Sequence, residues 1–103
     1  MPNSESPTLK HDYRRGEIIW ILRKDYPHLV TSRMLQLALR DRNIPVSQHD
    51  LQEYLSYLEE SCYVRCEHVF DEKEAGDRII AAALTGRGIL LYDRKITDQG
   101  VRF

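Results

Sequence analysis

The run PVSQHDLQEYLSYLEESCYV, Pro45 to Val64, limits what this chain can fold into more than any other stretch. Ser47 can cap an unpaired backbone N–H, and Asp50 three residues on places a carboxylate in the first turn, so a helix is expected to begin there. Leu51, Tyr54, Leu55, Leu58 and Cys62 recur at the spacing of one helical face, and Tyr63-Val64 suit an extended strand. The stretch therefore predicts a helix over 47–61 that runs almost directly into a β-segment.

The preceding chain supplies two more helices. Ile18, Ile19, Ile21, Leu22 and Tyr26 share one broad arc of a helix over 13–26, and Pro27 stops it because proline lacks the N–H needed to propagate. Tyr13 and Trp20 fall on the opposite side of that wheel, so a large aromatic pair points away from the core. Three explanations stay open at this level: the amino-terminal arm folds over the pair, the helix is buried all round, or the pair is a dimer contact. Thr31 or Ser32 caps a second helix over 32–42, with Met34, Leu35, Leu37 and Ala38 as core candidates and Arg33, Gln36 and Arg40 along its outer face. The short link Asn43-Ile44-Pro45-Val46 makes the second and third helices neighbours, as in a helix-turn-helix.

Beyond the third helix, Tyr63 to Phe70 and Arg78 to Leu84 read as the two strands of a hairpin, with Gly76 free to take positive φ in the turn. Period-two alternation sets Val64, Cys66 and His68 on one face and Ile80, Ala82 and Leu84 on another, both expected to pack on the helices. Thr85 caps a last short helix, GRGILLYD, with Ile89 and Leu90 turned inward. The fold class predicted is α+β, three helices with a two-stranded wing and a short final helix. Its expected divisions are a flexible arm over 1–11, one domain over 12–93 and an irregular tail over 94–103.

That order resembles the winged helix-turn-helix. The segment AALTGRG, Ala82 to Gly88, is similar to the LT-x-x-G that follows the wing in repressor families of the multiple-antibiotic-resistance and PadR types. The end, LTGRGILLYDRKITDQGVRF, is similar to the terminus of small winged-helix proteins of Mu-like transposable phages, with Gln99 standing where their pattern has proline before Gly100. The resemblance implies a DNA-binding transcriptional regulator in a prophage setting, and the outward Tyr13–Trp20 pair suggests a homodimer through helix one. In that fold the amino-terminal side chains of the third helix meet base edges, which would be Gln48, His49, Gln52 and Ser56 here, while Arg33, Arg40 and Arg65 would meet phosphates and Tyr13 and Trp20 the second copy.

Charge argues the other way. The chain has a formal net charge of −1, which gives no global attraction to nucleic acid, and from Ser47 to Tyr63 there are four acids and no Lys or Arg. The outward set of the third helix is expected to be His49, Gln52, Glu53, Ser56, Tyr57 and Glu60. Asp71, Glu72, Glu74 and Asp77 surround Lys73 at the wing tip, so duplex DNA would rely on a rim of Arg14, Arg15, Arg33, Arg40 and Arg65. The alternative is a protein-interaction module whose acidic third helix and wing dock a basic partner.

No catalytic constellation, cofactor motif or membrane-spanning run is expected. There is no glycine-rich phosphate cradle, G-x-S-x-G or paired-histidine motif, and no apolar segment approaches the roughly 20 residues that cross a bilayer. The start, MPNSESPTLK, lacks the apolar segment of a signal peptide, which points to the cytoplasm. Cys62-x-x-x-Cys66-x-His68 is the one metal-like cluster, with His11, His28 or His49 as a fourth ligand; small thiols beside a half-buried histidine are the favoured reading.

Overall fold

A computed structural model describes residues 7–73 and 76–103. Four helices and three strands follow in the order α1 (Pro7–Lys24), β1 (Val30–Thr31), α2 (Ser32–Asp41), α3 (Gln48–Glu60), β2 (Val64–Asp71), β3 (Gly76–Leu84) and α4 (Gly86–Tyr92). The strands form one antiparallel sheet ordered β1-β3-β2. This is the α+β arrangement expected, with one strand added: Val30 and Thr31 pair with Ala82 and Ala81. A two-residue strand carries no periodic signal, which is why the alternation in the sequence missed it.

Helix α1 begins at Pro7, six residues before the expected start at 13, and ends at Lys24. Proline suits the first turn because its missing N–H would be unpaired there anyway. Residues 1–6 of the expected arm lie outside the described residues, whereas 7–11 are helical. Ile18, Ile19 and Leu22 are fully buried, and Ile21 nearly so, while Tyr26 lies beyond the helix and is exposed. Leu35, Leu39, Leu51, Leu55 and Leu58 complete the centre of the core. On α2 the expected core residues Met34 and Leu37 are exposed and Leu39 is buried instead. Leu35 and Leu39 are four apart, so the buried stripe is narrower than the apolar composition suggested.

Three helices end alike, with Asn43, Cys62 and Arg94 at positive φ. In each the residue after the positive-φ one donates to the carbonyl five residues back: Ile44 N–H to Leu39 O, Tyr63 N–H to Leu58 O and Lys95 N–H to Leu90 O. These are Schellman closures made without glycine. They correct the placement of Cys62, which is exposed beyond the end of α3 and not on its core face. Gly76, expected at positive φ, opens β3 with no such angle.

The hairpin register also departs from simple alternation. Glu67 pairs with Ala81 but His68 pairs with Ile79, leaving Ile80 as an extra residue in β3. A bulge of this kind flips which side chains face inward. Ile79 is accordingly buried and Ile80 exposed, the reverse of the expected pattern, and His68 is exposed. Past the bulge Ala82 and Leu84 are buried as expected. In α4 Leu91 is buried and Leu90 exposed, so the inward side is turned by one residue from the expected one.

Residues 94–103 contain no helix or strand, yet they are held firmly. The hydroxyls of Tyr57 and Tyr63 and the Gly100 N–H each donate to the Asp98 carboxylate at 2.7 Å. Arg15 stacks 4.1 Å over the Tyr57 ring and donates to Gly100 O at 2.9 Å. The Arg102 N–H donates to Asp12 O on α1. There the tail backbone crosses so closely that a Cβ on Gly16 would stand 1.8 Å from Arg102 O. Glycine is required for that approach.

Partial burial of Asp98 alone would push its carboxyl up, but the bonds from Tyr63, Tyr57 and Gly100 outweigh it and hold the carboxyl below the usual range. Burial, then the bond to Asp98, pushes the Tyr57 hydroxyl up to about 12. The two linkages have opposite senses. The lowered Asp98 value adds stability that is complete above a pH of roughly 4 and is lost as pH falls through the folded value, whereas the Tyr57 term is complete below roughly 10 and is lost as pH rises beyond it. Asp98→Asn is expected to lower stability by about 1–2 kcal/mol at neutral pH, a figure reduced for partial exposure. Urea denaturation at pH 7 and pH 3 checks this: the deficit should shrink at the lower pH, and an equal deficit at both would show that the carboxylate charge is not what holds the tail.

Candidate nucleic-acid interface

Helix α3 is placed by its cap and its leucines. The Asp50 N–H donates to Ser47 Oγ at 3.1 Å, and Leu51, Tyr54, Leu55 and Leu58 are buried. What remains outward is His49, Glu53, Ser56 and Glu60, all exposed. His49 Nε2 lies 3.4 Å from Glu53 Oε1, one turn further on.

Two amides expected at base edges are engaged within the protein. Gln52 Nε2 donates to Ile79 O and the Ile79 N–H donates to Gln52 Oε1, both at 2.8 Å, so one side chain clamps α3 to β3. Gln48 Nε2 donates to Gln36 Oε1 at 2.7 Å, and Gln36 Nε2 to Val46 O at 2.8 Å, which ties the start of α3 to α2. Tyr57, placed outward by the wheel, turns its hydroxyl to Asp98. Of the four residues expected at bases, the structure leaves His49 and Ser56 free of the fold's own bonding, apart from the His49–Glu53 contact.

Arg33 and Arg40 are exposed on α2, seven residues apart and so on one side of that helix. Together with Gln36, Leu37, Pro45 and Ser47 they line an open groove that ends at the amino terminus of α3. Among the described residues neither guanidinium has a hydrogen bond or an ion pair. Arg65 is not part of that groove; it reaches the Pro27 carbonyl at 3.4 Å, in the loop before β1. Of the wider rim, Arg14 donates to Tyr54 Oη and Arg15 to Asp12 and Gly100. Both are occupied in holding α1 to its surroundings.

One cation was missed by sequence reasoning. Arg78 is exposed near the tip end of the wing, opposite Val69, and lines a second groove with Gln48, His49, Gln52, Gly76 and Asp77. Its place beside α3 depends on the bulge at Ile80 and the clamp at Ile79, neither of which the sequence announces. At the wing tip Glu72 and Asp77 are exposed, and Glu74 lies outside the described residues.

The cysteine–histidine cluster does not converge on a shared centre. Burial and then the neighbouring Glu59 carboxylate push the Cys66 thiol up to about 12, which keeps it protonated and a poor ligand or nucleophile at neutral pH. His68 Nε2 meets both Glu59 oxygens at 2.9 and 3.0 Å, and Cys62 is exposed. Of the fourth-ligand candidates, His11 Nδ1 is bonded to the Tyr54 hydroxyl. Among the described residues no group of three or more His, Cys, Asp or Glu side chains is placed to hold a metal ion. No helix there is long and apolar enough to cross a membrane.

The second aromatic face is also accounted for. Tyr13 is 47% exposed, whereas Trp20 is half-buried, with Lys24 Nζ 3.7 Å and the Arg42 guanidinium 3.9 Å from its ring centroid. Arg42 in turn donates to Glu17.

No family model matches the chain, and no curated protein matches it. Among solved structures it is similar to a PadR-family transcriptional regulator from Eggerthella lenta, with a TM-score of 0.56 over 80% of this chain and 70% of that one. The chain has the winged-helix fold. Sequence identity to that regulator is 17%, so the likeness carries the fold and no residue roles.

The clamp yields a direct expectation. Gln52→Ala should speed amide exchange at Ile79 by about tenfold or more and lower stability by about 1–2 kcal/mol, since it removes two buried-side bonds at once. Hydrogen exchange followed by NMR reads both. An unchanged Ile79 amide would show that α3 and the wing are held together without this side chain.

Proposed function

We propose that this protein is a DNA-binding transcriptional regulator, not an enzyme, that meets duplex DNA with the α2–α3 turn and the first turn of α3. The observation that carries this reading is the groove in which Arg33 and Arg40, both without an internal partner among the described residues, border the amino terminus of α3. Free guanidinium groups and the positive end of a helix form a surface for phosphate. The similarity to a solved transcriptional regulator supports it.

The acids on α3 decide how the helix approaches. Glu53 and Glu60 are exposed along its length, and carboxylates pressed against the duplex cost both repulsion and desolvation. Entry by the first turn, with His49 at a base edge and Arg33 and Arg40 on the backbone, keeps Glu60 furthest from the phosphates. Arg78 near the tip end of the wing adds a third cation beside α3, while Gln48 and Gln52 hold the frame and Ser56 is reached only if the helix tips inward. The likeness of the terminus to Mu-like phage proteins gives this regulator a prophage setting and a place in the bacterial cytoplasm.

A second reading rests on the same acids: with Glu53 and Glu60 exposed and no Lys or Arg in α3, that face also suits a basic protein partner. Charge reversal separates the two, because Glu53→Lys with Glu60→Lys should tighten DNA binding but abolish capture of a basic partner. For the DNA reading, Arg33→Ala and Arg40→Ala should each reduce the slope of log affinity against log salt by about 1. Fluorescence anisotropy on a mixed-sequence duplex across a salt series measures it. Slopes equal to wild type in both variants would remove these arginines from the interface.

A further inference from the structure

A pocket on the outer side of α1 has no role in the reading above. Tyr13, Trp20, Tyr92 and Phe103 contribute to its walls, Arg94 and Arg102 line it with Glu17, whose carboxylate is already paired with Arg42, and its volume is about 270 Å3. Tyr92 and Phe103 meet edge to face with centroids 6.2 Å apart, and the Arg94 guanidinium lies 4.1 Å over the Phe103 ring. Aromatic walls beside guanidinium groups suit a guest that carries a ring and carboxylates. A cavity of roughly 150 Å3 already accepts benzene, so a phenyl ring has room here.

A symmetric pairing of two copies about Trp20 is opposed by charge. Each copy sets Lys24 and Arg42 within 4 Å of that ring, and a two-fold axis there brings the same cations face to face. The expected dimer contact at Tyr13 and Trp20 therefore needs a different surface as its partner, and the same chain carries one. Phe70 is 66% exposed, the most exposed large apolar side chain among the described residues, and Val69 beside it is 46% exposed. Phe70 pairs across the hairpin with Asp77, and both Asp77 and Glu72 are exposed. The wing thus ends in an aromatic knob with carboxylates beside it.

We propose that the wing of one copy docks into the α1–tail pocket of another, Phe70 entering among the rings while Glu72 and Asp77 meet Arg94 and Arg102. The contact is heterologous, so in each pair one copy keeps a free pocket and the other a free knob, and either can engage a further copy. Neither surface includes Arg33 or Arg40, which carry the DNA reading, although Asp77 shares a groove with His49 and Arg78. Failure of this assembly therefore leaves the DNA reading standing, and the reverse holds too.

Sedimentation velocity of the full chain over a concentration series at low salt tests it. Wild type is expected to grow in mass with concentration and to revert towards monomer as salt screens the charged pairs. Phe70→Ala and Arg94→Glu should each weaken self-association by about tenfold or more. Circular dichroism confirms their folds, with Glu72→Arg and Arg102→Glu as substitutes if either fails. Mixing Phe70→Ala, which keeps its pocket, with Arg94→Glu, which keeps its knob, should give a one-to-one dimer that grows no further. A wild type that stays monomeric, a Phe70→Ala variant that associates like wild type, or a mixture that stays monomeric would each overturn the proposal.

Discussion

The paired contact between the Gln52 amide and both backbone groups of Ile79 sets how α3 sits against the wing. A side-chain amide bonded to the N–H and C=O of one strand residue acts like a short extra strand, and it fixes α3 relative to the sheet in both distance and roll. The bulge at Ile80 works with it, because the shifted register brings Ile79 inward to meet the clamp while Arg78 stays outside. Without that meeting the groove between α3 and the start of β3, with His49 on one side and Arg78 on the other, has no fixed width.

The molecule's charge is arranged in regions rather than in sum. Guanidinium groups free of internal partners among the described residues stand on α2 at the entrance to α3, acids continue along α3, and further cations cover the aromatic side of α1. A net charge near zero conceals that pattern. The Asp98 junction belongs to the same economy of fixed positions: one carboxylate gathers a tyrosine from α3, a tyrosine from the start of β2 and the tail's own backbone. It thereby keeps Arg102 and Phe103 against α1, where they help form the pocket beside Trp20.

What the sequence made legible was the part governed by local chemistry. The caps at Thr31, Ser47 and Thr85 each accept the backbone N–H three residues on, as their hydroxyls imply. The leucines of α3 and the isoleucines of α1 are buried where their spacing puts them. What it hid depends on contacts distant in the chain. Gln48 and Gln52 look like surface amides until α2 and β3 come to rest beside them. The bulge at Ile80 breaks a clean alternation, and Cys62 takes a left-handed angle that residue preference assigns to glycine. Arg33 and Arg40 were visible as an outward pair, but their shared groove with Ser47 needed the turn between the helices to be seen.

The central claim is that DNA meets the α2–α3 turn, and mapping the contact residue by residue tests it most directly. Nitrogen-15-labelled protein titrated at low salt with mixed-sequence duplex should show its largest amide shifts over 33–40 and at 47–49, with a smaller set at Arg78. Shifts confined to the Trp20 and Arg94 side, or no shifts at any duplex concentration, would contradict the account.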